Sequence, residues 1–126
     1  MKKMSFTIPL YGVSVTLLQI EGAKDEKAVL PYLKLVKADE ESKRYMIDGI
    51  RNGAVNGGDT YRDLEHKRMI IFFYPMENEE VRAEIYSHEK RHIEDRVLQY
   101  FSVDDIESAG LLAGFLGRQF YKFERL

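Results

Sequence analysis

The run Arg68-Met69-Ile70-Ile71-Phe72-Phe73-Tyr74, closed by Pro75, constrains this chain more than any other stretch. It is apolar without interruption after Arg68 and rich in β-branched and aromatic residues, so it reads as a strand. A strand is not stable alone, and other segments must pair with it. Phe6 to Ile20 alternates in part, with Val13, Val15 and Leu17 on one side and Ser14 and Thr16 on the other, around a break at Tyr11-Gly12. Thr60 to Leu64 offers a further short strand, with Glu65-His66-Lys67 as the connecting turn.

Helical patterns fill the rest. Between Asp25 and about Asn52 the spacing of Leu30, Leu33 and Val36, then of Met46, Ile47 and Ile50, predicts two helical pieces. Pro31 is expected to limit the first, because beyond the opening turn it removes a backbone donor. Gly53 and Asn56-Gly57-Gly58 mark a loop. A long helix is predicted from Glu79 to Tyr100, carrying Val81, Ile85, Ile93 and Val97, with Glu79 and Glu80 suiting the positive end of its dipole. Ser102 is expected to cap a last helix, with Asp105 three positions on and Ile106, Ala109, Ala113, Leu116, Phe120 and Phe123 on its apolar face. Strands first and helices last imply an α+β fold, a small antiparallel or mixed sheet packed on helices, in one domain of 126 residues.

Charge narrows the function classes. A net charge of −2 gives no general affinity for nucleic acid or for an anionic membrane, so neither is expected as a partner. No run approaches a membrane-spanning length, and the stretch after Lys2-Lys3 is interrupted by Ser5, Thr7, Pro9 and Gly12; a cytoplasmic protein is the expectation. Without cysteine, thiolate metal sites are excluded, and any metal must be held by His, Asp or Glu.

That restriction directs attention to His88-Glu89-Lys90-Arg91-His92 on the predicted long helix. Residues four apart differ by about 40° around a helix, so both imidazoles can reach one cation, zinc being expected. Glu89 beside them is placed to act as general base, taking a proton from the attacking water. Val81 and Ile85 share the side of His88 and His92, so the imidazoles continue an apolar face. The bland reading is a surface helix whose charges face water and one another, and Lys90 and Arg91 inside the motif suit it. A third ligand is needed. Glu107, Gly110, Gly114, Gly117 and Tyr121 fall in one stripe of the last helix, and glycines there suggest close helix approach, which would carry Glu107 to the metal. Glu107 is equally explained as a first-turn acid favoured by the dipole. His66, Asp104 and Asp105 are simpler as a turn residue and a helix start.

The order of a strand at Arg68 to Tyr74, a His88-Glu89-x-x-His92 helix and a following helix with Glu107 resembles the gluzincin branch of the zincin metallopeptidases in minimal form. The segment from Glu107 to Leu116 is similar to that of small metallopeptidase-like proteins of bacteriophages and mobile elements, and Tyr61-Arg62-Asp63 adds to the likeness. The resemblance implies zinc on His88, His92 and Glu107, Glu89 as catalytic base, and a peptide or protein substrate lying along a free edge of the strand Arg68 to Tyr74. The alternative is a non-enzymatic binding or structural protein of a phage or mobile element on the same scaffold.

Overall fold

The computed structural model describes residues 1–126. Its strands, β1 (Lys2–Ile8), β2 (Val13–Gln19), β3 (Gly58–Asp63) and β4 (Arg68–Phe73), form a single sheet in the order β1-β2-β4-β3. β1 and β2 make an antiparallel hairpin, β2 and β4 pair in parallel, and β3 pairs antiparallel with β4. The helices are α1 (Glu26–Leu35), α2 (Glu40–Arg51), α3 (Glu79–Tyr100) and α4 (Ile106–Glu124). The α+β expectation and its mixed sheet therefore hold.

The apolar run of β4 has a direct cause. Met69, Ile71 and Phe73 belong to a core shared with α3 and α4, while Ile70, Phe72 and Tyr74 belong to a second core under α1 and α2. A strand covered on both faces carries no polar alternation. β4 is also paired on both edges, which corrects the expectation that one of its edges is free. The edge strands are β1 and β3, and the sequence of β3, Gly-Asp-Thr-Tyr-Arg-Asp, has the polar character that protects an edge from unwanted pairing. One buried side chain ties the layers together. The Gln19 amide donates to the carbonyls of Ile20, Phe73 and Tyr74 at 3.1, 3.3 and 3.0 Å, and its oxygen accepts the Tyr86 hydroxyl at 2.8 Å.

Two helix boundaries differ from expectation. α1 runs past Pro31 to Leu35. Pro31 is on the solvent face, where the carbonyl deprived of its donor can meet water. Ser102 does not cap α4; it follows α3 with a left-handed φ of 56°, and Asp105 caps instead by accepting the Ser108 N–H at 2.8 Å. No helix is long and apolar enough to cross a membrane.

Candidate metal centre

α3 begins where Asn78 accepts the Val81 N–H at 2.9 Å. Its 22 residues keep one register through the motif, so the four-residue spacing of the histidines becomes real proximity. The Nε2 atoms of His88 and His92 lie 3.0 Å apart, with the rings edge to face. One donor atom from each of His88, Glu89 and His92 lies within 4.8 Å of the other two. Neither Nε2 has another hydrogen-bond partner within the protein.

Glu89 lies a further 100° around the helix from His88 and turns towards the sheet. It is buried, with 4% of its surface exposed, and its Oε2 accepts the Thr60 hydroxyl. Close approach of α3 to β3 is what makes this contact, and Gly58 gives it room: a β-carbon there would stand 3.0 Å from Glu89 Cγ, tight enough that the glutamate would have to shift. The register of β3 sets Gly58, Thr60 and Arg62 opposite Phe73, Ile71 and Met69, all members of the core beneath α3. These alternate residues therefore face the motif helix. Asp59 faces the other layer, where its carboxylate accepts the Tyr74 hydroxyl at 3.4 Å; burial, and then the Glu89 charge, push its carboxyl above the ordinary range.

Lys90 and Arg91 are accommodated without entering the site. Lys90 pairs with the buried Glu94 at 2.6 Å, and Arg91 pairs with Asp95 at 3.1 Å on the solvent side. Such four-residue pairs suit one helix carrying both charges.

Glu107 does not join the histidines. It is exposed in the first turn of α4 and lies outside the group formed by His88, Glu89 and His92. The reason is the antiparallel course of the two helices. Gly117, not Glu107, sits beside Lys90, its virtual β-carbon 3.9 Å from Lys90 Cε. Ten residues earlier at about 1.5 Å per residue, Glu107 is displaced by roughly 15 Å along the axis. The glycine stripe is not a packing face either: a β-carbon at Gly110 or Gly114 would meet nothing within 4 Å. The buried face of α4 is Leu112, Leu116, Phe120 and Phe123.

His66 is likewise outside the group. It closes a 3₁₀ turn after β3, where its Nδ1 lies 2.9 Å from Asp63 and holds that carboxyl below its ordinary range. The residues that sequence reading missed are Gly58, Asp59, Thr60, Arg62 and Arg96, which line the same polar pocket as the motif. Arg96 could have been found as the next residue at four-residue spacing after His92; the β3 residues required knowledge of strand pairing.

Two imidazole nitrogens, with no thiolate and a carboxylate beside them, suit zinc or a neighbouring first-row divalent cation. Bonds of about 2.0–2.1 Å in tetrahedral geometry separate two nitrogens by roughly 3.3 Å, so the His88 and His92 nitrogens need part by only a few tenths of an ångström. The donor set fits. Comparison with family models, curated proteins and solved structures finds no match.

Proposed function

We propose that the chain is a zinc-dependent hydrolase of peptide bonds, a metallopeptidase in which His88 and His92 hold the cation and Glu89 is the general base. The observation that carries this reading is the burial of Glu89 beside two converging imidazoles. A merely solvated charge stripe gives no reason to bury its glutamate against a glycine. Thr60 engages Oε2, which leaves Oε1 for a water molecule.

A cation at this site supplies Lewis acidity that makes water a usable nucleophile near neutral pH. Glu89 takes one proton from the water as its oxygen adds to the peptide carbonyl carbon, and gives that proton to the nitrogen as the C–N bond breaks. Products are a carboxylic acid and an amine. β3 is paired on one side only, and its outer main-chain groups can hold an extended peptide next to Glu89. The role expected of β4 passes to β3 in this reading.

One observation favours the second reading, a non-enzymatic binding protein: with Glu107 remote, the two imidazoles are one short of the three protein ligands typical of catalytic zinc. Metal content and turnover separate the two. The expected result is one zinc per chain, lost in His88→Ala and His92→Ala and kept in Glu107→Ala and His66→Ala. Glu89→Gln should keep zinc while peptide turnover falls by about 10²–10⁴, the usual contribution of a general base. Zinc retained without turnover in the wild type selects the binding reading. Zinc content unaffected by the histidine changes removes both metal readings.

A further inference from the structure

The polar pocket between β3 and α3 has no hydrophobic side chain in its walls, and Arg62 and Arg96 are both among its lining residues. The chain reverses between β4 and α3, and β3 is antiparallel to β4, so α3 runs in the direction of β3. Arg62 lies two residues beyond Thr60 along the strand, and Arg96 lies four beyond His92 along the helix. Both steps lead the same way, to one end of the pocket.

No carboxylate answers this pair. Neither guanidinium takes part in an ion pair, whereas the neighbouring Lys90 and Arg91 are bound to Glu94 and Asp95. Asp59, the acid next along β3, is committed to Tyr74 across the sheet. Glu89 is held by Thr60. Guanidinium groups present planar donors matched to a carboxylate, and Arg62 and Arg96, although balanced in formal charge by Asp59 and Glu89 in the same lining, keep their own donors free of any ion-pair partner. The distances also suit a peptide. Two strand residues advance about 6.6–6.8 Å and four helical residues about 6 Å, close to the separation of the reacting carbonyl from a group one or two residues along an extended substrate.

We propose that Arg62 and Arg96 form a carboxylate subsite, so that the substrate is a peptide with an anionic group one or two residues from the cleaved bond. The inference deepens the hydrolase reading and rests on it for the word substrate; the subsite itself is tested by binding. The carboxylate has two sources, an acidic side chain or a free C-terminus.

Isothermal titration of zinc-loaded Glu89→Gln protein avoids turnover and separates them. The probes are an alanine hexapeptide containing one glutamate, blocked at both ends; its glutamine counterpart; and the all-alanine peptide with a free or an amidated C-terminus. The glutamate peptide or the free C-terminus should bind at least about tenfold more tightly than its neutral counterpart, the gain expected of a charge-assisted hydrogen-bonded pair. Added Arg62→Gln or Arg96→Gln should each reduce that preference, the pair together should abolish it, and Arg62→Lys should retain part of it. Equal affinities for charged and neutral peptides overturn the subsite. So does a preference that survives in the double variant, or no binding by any peptide. A preference present in binding, with no cleavage by zinc-loaded wild type, rejects the hydrolase reading and leaves the subsite standing.

Discussion

A β-carbon added at Gly58 would lie 3.0 Å from Glu89 Cγ, 3.2 Å from the carbonyl oxygen of Phe72 and 3.3 Å from Phe73 Cδ1. The carbonyl is fixed by the sheet, so the glutamate has to yield. Gly58→Ala should therefore destabilise the fold by about 1–3 kcal/mol, the range for overpacking, and displace the carboxylate from Thr60. Part of that cost belongs to the glutamate. In a Glu89→Ala background the same change should cost clearly less, a coupling that a double-mutant cycle by urea denaturation measures directly. Equal costs in both backgrounds would mean that the strand, not the carboxylate, absorbs the strain. The contrast between Glu89 and its support explains what could be read beforehand. His88, Glu89 and His92 lie on one helix and their relation follows from its period alone. Thr60 is 29 residues from its partner, and no local pattern announces it. Glu107 failed for a related reason: a helical period tells which residues share a face, and says nothing about which face turns inward.

The helix that carries Glu107 turns Gly110 and Gly114 to open space, with no atom within 4 Å of a virtual β-carbon on either. Interior helical glycine costs about 0.8–1.0 kcal/mol relative to alanine through backbone entropy. Gly110→Ala and Gly114→Ala should each stabilise the chain by about that much, raising the melting temperature by roughly 3–6 °C per site in a calorimetric scan. Destabilisation by either change would show that this face meets another surface after all. The strands offer the opposite lesson. β4 was legible as a strand because its residues are apolar on both faces, and the same property carries the information that it is central. A strand covered by helices on both sides and flanked by partners has no exposed edge to offer. β3 is short, polar and partly glycine, so its pattern is weak, yet that polarity is what an edge requires. Pro31 shows how far a single-residue rule reaches. It forbids a hydrogen bond, not a helix, and the loss is tolerable where water replaces the bond.

One sheet serves two cores, and its inner strands contribute side chains to both. β2 gives Val13, Val15 and Leu17 to the layer under α3 and α4, and Leu18 to the layer under α1 and α2. Removing either helical layer exposes half of both inner strands, so the two layers should unfold together as a two-state unit. Tyrosines on opposite faces report on this. Burial pushes the Tyr86 hydroxyl, on the α3 side, up to about 12, with Arg82 opposing and Glu124 adding to the shift. Burial also pushes Tyr61, on the α1 and α2 side, up to about 12, assisted by Asp59 and Asp39. Tyr74 is raised for the same reason. In the unfolded chain these groups ionise near 10. Between pH 10 and 12 the unfolded state thus holds fewer protons than the folded state, which makes the slope of unfolding free energy with pH negative. This contribution is fully present below pH 10 and is lost as pH rises through 12. Urea denaturation at pH 9, 10 and 11 should show a falling midpoint, and tyrosinate absorbance should rise together with loss of helical circular dichroism. Tyr86→Phe separates the layers: if they are coupled, the remaining buried tyrosines still ionise in the same single transition. Ionisation of Tyr61 and Tyr74 well below the loss of α3 and α4 helicity would mean that the α1 and α2 layer detaches alone, and the shared sheet would then not be the unit of folding.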